Sequence, residues 1–170
     1  AFDWLSAMVP WPAAGDVLDV GCGAGYLWDH AAAVVPDGIR LTLIDLSAGM
    51  VDEAVARAAG TGRFARVSGH VADARSLPFA DASFDLAVST YALYHVPGPA
   101  HAVREMARVM RDDGVFVLMT NGPDHLREIE VVRVRVFGEA GRYEANRSFT
   151  PAMAAAVLVD VFDEVAWQRY

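Results

Sequence analysis

The apolar positions of this 170-residue chain follow two rhythms. Five short runs rich in Val, Ile, Leu and Phe, at residues 16–20, 39–45, 64–70, 84–89 and 115–120, are bounded by Gly, Asp or Pro and read as strands. Between them lie Ala-rich segments, 26–35, 48–59 and 99–110, which read as helices; in the third, Ala102, Val103, Met106, Ala107 and Met110 recur at helical spacing. Strands alternating with helices are the signature of a parallel sheet covered on both faces. After Thr120 the rhythm changes to an amphipathic stretch, 124–137, a Gly-containing loop to Asn146 and a helix over 151–161 opened by Thr150 and Pro151. The closing FDEVAWQRY alternates as a sixth strand would.

Composition narrows this reading. The chain is 54% hydrophobic, enough to bury the core of one domain, and no internal repeat or linker divides it. Fourteen Arg, no Lys and 22 acidic residues give a net charge of -8, which repels a phosphate backbone and disfavours nucleic acid as a partner; Arg133 and Arg135 read as a solvated helix face. Cys22 is the single cysteine, so no internal disulfide forms, and a cytoplasmic location is expected. Every apolar run is interrupted well short of the roughly 20 residues that a membrane helix needs, so no membrane association is expected.

The most informative segment is VLDVGCGAG, residues 17–25, a strand running into a glycine-rich turn and then a helix. Glycines let a backbone approach a ligand closely. Asp45 ends the next strand 20 residues beyond Gly25, as a ribose-binding carboxylate would. Tyr26 stands where a dinucleotide fingerprint needs its third glycine, and Asp19, two residues before Gly21, would repel a pyrophosphate but attract a sulfonium or ammonium. The expected ligand is therefore a nucleoside carrying positive charge near the glycines, and S-adenosylmethionine meets that description.

VLDVGCGAG, LIDLSAGM, VADARSLPFADASFDLAVSTYALYHV and REMARVMRDDGVFVLMTNG together resemble the successive motifs of the class I S-adenosylmethionine-dependent methyltransferases over residues 17–122. ALYHVPGP is most similar to the small-molecule, quinone-biosynthesis and natural-product branch. The resemblance implies a doubly wound, mostly parallel Rossmann-like α/β sheet with helices on both faces. It implies Gly21, Gly23 and Gly25 beneath the methionine moiety, Asp45 on the ribose, Leu46 and Met50 against adenine, and Asp73 with Ala74 at the adenine amino group. Ser89, Thr90 and Tyr91 would line the methionine moiety and the acceptor entrance. The family often has Pro-Gly-Gly where this chain has Asp112, Asp113 and Gly114, a turn remote from the cofactor. Family members also end in a further antiparallel strand and carry extra N-terminal helices, so residues 1–170 are expected to be a single domain truncated at both ends, lacking the usual last strand.

The implied chemistry is in-line attack by an acceptor on the sulfonium methyl, releasing S-adenosylhomocysteine, with His95 and Tyr91 as candidates to act on the acceptor and Tyr94 of similar standing. His95 equally suits a role capping the next segment or packing under Pro97. Other readings stand beside several site assignments. Asp19 could bond its own turn, Asp73 could pair with Arg75, Met50 could share the core with Val51, Ala54 and Val55, and Cys22 is a packing residue rather than a nucleophile. Histidines 30, 70, 101 and 125 lack metal-ligand spacing, and no metal is expected. The expected partner is a small-molecule acceptor, on a monomer or homodimer; a non-catalytic binding module and a tRNA or protein methyltransferase are the alternatives.

Overall fold

A computed structural model of the chain describes residues 1–122, 125, 127–138 and 149–169. Its strands are β1 (Gly15–Val20), β2 (Ile39–Asp45), β3 (Arg66–Val71), β4 (Phe84–Thr90) and β5 (Met110–Met119); its helices are α1 (Phe2–Met8), α2 (Tyr26–Ala31), α3 (Ala48–Gly60), α4 (Pro99–Val109), α5 (Arg127–Phe137) and α6 (Pro151–Val159). The strands form one sheet in the order β3-β2-β1-β4-β5, every neighbouring pair parallel. The chain first winds from β1 out to β3, then returns to lay β4 on the other side of β1. That reversal makes the C-terminal ends of β1 and β4 the crevice where doubly wound sheets take their ligands.

Side chains two apart on a strand share a face, and the central strands use both faces for burial. Val17, Leu41, Leu43, Leu86 and Val88 pack with Leu5 of α1, Leu27, Trp28 and Ala31 of α2, and Ala54 and Ala58 of α3. Leu18, Val20, Ile44 and Ala87 pack on the opposite side with Val103 and Met106 of α4 and Ala154 and Leu158 of α6. Helix starts are specified locally: Ser47 Oγ accepts from the Met50 amide, and Thr150 Oγ1 accepts from the Met153 amide with Pro151 in the first turn.

Several expectations need correction. The segment 163–169 forms no strand. Phe162 stacks on Phe116 of β5 at 5.5 Å, and Val165 packs against the same core, so the chain is drawn across the face of β5 rather than along its edge. Helix α2 stops at Ala31, four residues before the expected end at 35, in line with Pro36, which disfavours helical backbone in the residue before it. Strand β5 begins at Met110 instead of Val115, pairing Phe84 with Met110 and then Leu86 with Val115, so Asp112, Asp113 and Gly114 form an irregularity inside the strand rather than a turn before it. Helix α1 had no counterpart in the sequence reading. Of the stretch 124–146, α5 covers Arg127–Phe137, and residues 139–146 lie outside the described ones.

Candidate functional site

The loop leaving β1 takes left-handed backbone at Gly21, Gly23 and Gly25, with φ of 75°, 51° and 78°. Its amides are tied down from β2: those of Gly21 and Cys22 both donate to the Ile44 carbonyl at 2.8 and 2.9 Å, and that of Gly23 donates to Asp45 Oδ2 at 3.1 Å. The other carboxylate oxygen of Asp45 accepts from the Ser47 amide at 2.9 Å. The glycines have different jobs. A Cβ on Gly21 would collide with Ala92, and one on Gly25 would lie 2.8 Å from the Ala54 Cα, whereas at Gly23 it would enter open space. Gly21 and Gly25 therefore permit close packing beneath the loop, and Gly23 leaves room above it.

That room belongs to a cavity of about 820 Å³ at the C-terminal ends of β1, β2 and β4, a volume suited to a small-molecule ligand. Of the residues singled out from sequence, Gly21, Gly23, Asp45, Leu46, Met50, Asp73, Ala74, Thr90, Tyr91 and His95 line it; Asp19, Gly25 and Ser89 do not. Ser89 is fully buried and donates to the Val20 carbonyl at 2.9 Å, fastening β4 to β1. Met50 is 43% exposed and Leu46 73% exposed, so both offer apolar surface to the cavity while Val51, Ala54 and Ala58 supply the core face of α3. Asp73 is gripped by Arg75 through both carboxylate oxygens, which holds its carboxyl down at about 2. Arg75 neutralises Asp73 in the cavity wall, and among the described residues no arginine of the lining pairs with Asp45, whose carboxylate suits a cationic ligand.

Asp19 sits under the loop at 1% exposure, its Oδ2 accepting from Trp28 Nε1 at 2.8 Å and its Oδ1 without a hydrogen-bond partner among the described residues. Burial pushes its carboxyl up to about 7, against the Trp28 hydrogen bond, and the nearby Asp45 adds to the rise. Burial, followed by the charges of Asp19 and Asp45, also pushes the Cys22 thiol up, so it stays protonated and unreactive. At the opposite wall, Tyr91 follows β4 with φ of 54°, uncommon for a residue bearing a Cβ, and a conformation that concentrates at functional sites. His95 ends a 3₁₀ turn, Leu93–His95, with its ring 4.5 Å from that of Tyr94.

The profile of a family described as "Methyltransferase domain" matches residues 18–118, more than half of the chain. The chain belongs to the class I S-adenosylmethionine-dependent methyltransferases. It is 35% identical over 141 residues to 27-O-demethylrifamycin SV methyltransferase of Amycolatopsis mediterranei, covering 81% of this chain and 51% of that one. To malonyl-[acyl-carrier protein] O-methyltransferase of Geobacter sulfurreducens it is 33% identical over 158 residues, 87% of this chain and 58% of that one. Among solved structures it is similar to the [4+2]-cyclase SpnF, with 31% identity and a TM-score of 0.60 over 68% of this chain and 42% of that one. The chain thus spans about half the length of the curated relatives just named.

The cofactor of this family is S-adenosylmethionine, and the residues present fit it. The opening above Gly23 accepts a moiety that a Cβ would exclude, and Leu46 and Met50 give a flat base an apolar wall. Asp45 keeps acceptor capacity beyond the two amides it holds. The unpartnered Oδ1 of Asp19 is a buried acceptor beneath the methyltransferase's glycine loop. Sequence reasoning missed Phe2, Tyr26 and Arg75 as cavity residues. Tyr26 was visible as the occupant of a glycine's place and Arg75 as a neighbour of Asp73, but nothing in the sequence brings Phe2 to the site.

Proposed function

We propose that this chain binds S-adenosylmethionine in the cavity at the ends of β1, β2 and β4 and transfers its methyl group to a small-molecule acceptor. The observation that carries the reading is the acidic, apolar-walled crevice in which Gly23 is open above and Asp45 is held by the loop it supports. Asp45 takes the ribose hydroxyls, Leu46 and Met50 flank adenine, and Asp73 with Ala74 faces the adenine amino group through the acceptor capacity Arg75 leaves free. Gly21 and Gly25 shape the loop from below, and Thr90 lines the methionine end. Asp19 acts through the loop as a buried carboxyl that takes up negative charge as pH rises through about 7, and Ser89 supports the wall it does not reach.

S-adenosylmethionine supplies an activated methyl and its own leaving group. The chain's part is alignment, worth roughly 7 to 11 kcal/mol where orientation is good. Tyr91 and His95 line the acceptor side, and His95 takes a proton when the acceptor must lose one. The net charge of -8 argues for an uncharged or cationic small molecule over tRNA, and the rifamycin-modifying relative supports the small-molecule class. A cytoplasmic monomer or homodimer completes the reading; the free Cys22 bears on the compartment alone. No helix among the described residues is long and apolar enough to cross a membrane.

The test is calorimetric titration with S-adenosylhomocysteine, followed by a screen of small acceptors for its release from S-adenosylmethionine. Saturable one-site binding and acceptor-dependent release support the proposal; a folded protein that binds nothing sinks it. Because a structural neighbour is a [4+2]-cyclase, acceptor conversion without release of S-adenosylhomocysteine would assign the site to rearrangement instead.

A further inference from the structure

The exit of the glycine loop is held by a residue far from it in sequence. Arg57 of α3 donates from Nε to the Ala24 carbonyl at 2.9 Å, from Nη1 to Asp29 at 2.7 Å and from Nη2 to Glu53 at 3.0 Å. Its guanidinium carbon lies 4.3 Å from the centre of the Tyr26 ring. Ala24 and Tyr26 both line the cavity, and Tyr26 is 55% exposed, so core packing alone does not fix its ring. The planar guanidinium meets three acceptors and one aromatic face at once, a geometry that a single ammonium does not reproduce.

The loop is therefore clamped by two charged side chains. Asp45 takes the Gly23 amide on the entry side and Arg57 takes the Ala24 carbonyl on the exit side. Three glycines in four-residue reach of one another have the most backbone freedom to lose on binding. A loop held beforehand in its binding shape avoids that cost when the ligand arrives. Asp29 and Glu53 are 42% and 51% exposed, and ion pairs in such positions contribute little to folding.

We propose that Arg57 is a positioning residue for cofactor binding, presetting the glycine loop through the Ala24 carbonyl and the cavity wall through the Tyr26 ring. The inference rests on the cavity being the S-adenosylmethionine site. It assigns to Arg57 a function in affinity rather than in fold stability.

Its test is titration of wild type, Arg57→Met, Arg57→Lys and Glu53→Gln with S-adenosylhomocysteine, alongside urea unfolding and hydrogen exchange of the amides of residues 20–27 in the free proteins. Arg57→Met is expected to bind at least tenfold more weakly, with faster loop exchange and a urea midpoint close to wild type. Arg57→Lys keeps the charge and recovers only part of the loss; Glu53→Gln stays within threefold of wild type, because it leaves the loop contacts in place. Arg57→Met binding within twofold of wild type overturns the inference, as does Glu53→Gln losing as much as Arg57→Met, which would make the cluster a generic ion-pair network. If Arg57→Met fails to fold, Arg57→Lys carries the same comparison. A wild type that does not bind removes the cofactor reading and this inference together; a binding wild type with an unaffected Arg57→Met removes this inference alone.

Discussion

Replacing Asp19 by Asn tests the electrostatics of the site without needing an acceptor. Burial lifts the Asp19 carboxyl from 3.8 to about 7. That rise corresponds to roughly 4 kcal/mol between its two protonation states. Below about pH 4 the group is protonated in both folded and unfolded chains and contributes no pH dependence. Between about pH 4 and pH 7 the unfolded chain gives up the proton while the folded chain keeps it, so the folded state binds more protons and stability falls as pH rises. Above about pH 7 the full cost of the buried charge is present. Asn keeps an oxygen for Trp28 Nε1 and removes the ionisation, though its amide brings donors that the site leaves unpaired, a cost of about 1 to 3 kcal/mol that does not change with pH.

The measurable quantity is therefore the difference between variant and wild type as pH changes, which cancels every other titrating group. Glu105, held down at about 2 by Arg108, and Asp73 contribute equally to both proteins. Urea unfolding followed by tryptophan fluorescence from pH 5.5 to pH 8 stays above the pI of 4.9. Over that range the stability of Asp19→Asn relative to wild type is expected to rise by about 2 kcal/mol, the part of the linkage that falls within the window. Two parallel curves would refute the reasoning, because they would mean that Asp19 is already ionised in the folded protein. A cationic cofactor adds a second reading of the same charge: wild-type affinity should tighten with rising pH, and the variant should lose that dependence.

The glycines separate packing from binding. Gly25→Ala combines left-handed strain with a collision at Ala54 and is expected to cost about 2 to 4 kcal/mol in urea unfolding. Gly23→Ala carries the strain alone and should cost about 1 kcal/mol, yet reduce S-adenosylhomocysteine affinity more than its stability suggests; equal stability losses in the two would contradict the assignment. His95→Asn is expected to lower kcat by about 10²- to 10⁴-fold for an acceptor that must lose a proton, with cofactor affinity unchanged by calorimetry, and an unaltered kcat removes His95 from proton transfer.

The sheet was legible in the sequence because each strand is specified by a short local run and each turn by its own Gly, Asp or Pro. The same holds for the loop with Asp45, whose 20-residue separation from Gly25 spans one helix and one strand, α2 and β2. What escaped depends on partners distant along the chain. Arg57 reaches Ala24 over 33 residues, and Asp19 finds Trp28 rather than its own turn. The expected sixth strand failed for a related reason: its alternation fits a strand, but Phe162 and Val165 have a core to bury against. Pattern shows which residues are apolar; it does not show which surface will claim them.

That difference in sequence range divides the site into halves with separate consequences. In the proposed function the cofactor half comes mainly from β1, β2, the turns after them and the first turn of α3, residues 20–24 and 44–50. In the same reading the acceptor half is assembled from the turn after β4 and from Phe2, whose ring meets Tyr91 edge-on at 6.1 Å and lies 5.7 Å from His30. Helix α1 keeps its seat without that ring, through buried Leu5 and the adjoining buried Val9. Phe2→Ala is thus expected to leave S-adenosylhomocysteine affinity within about twofold while raising the acceptor KM by roughly three- to tenfold, the size of a lost aromatic contact of about 0.5 to 1.5 kcal/mol. Calorimetry and steady-state kinetics on the same preparation read the two halves independently. A cofactor affinity that falls as far as the acceptor term would show that Phe2 closes over the nucleoside end, and the boundary between the halves would have to move.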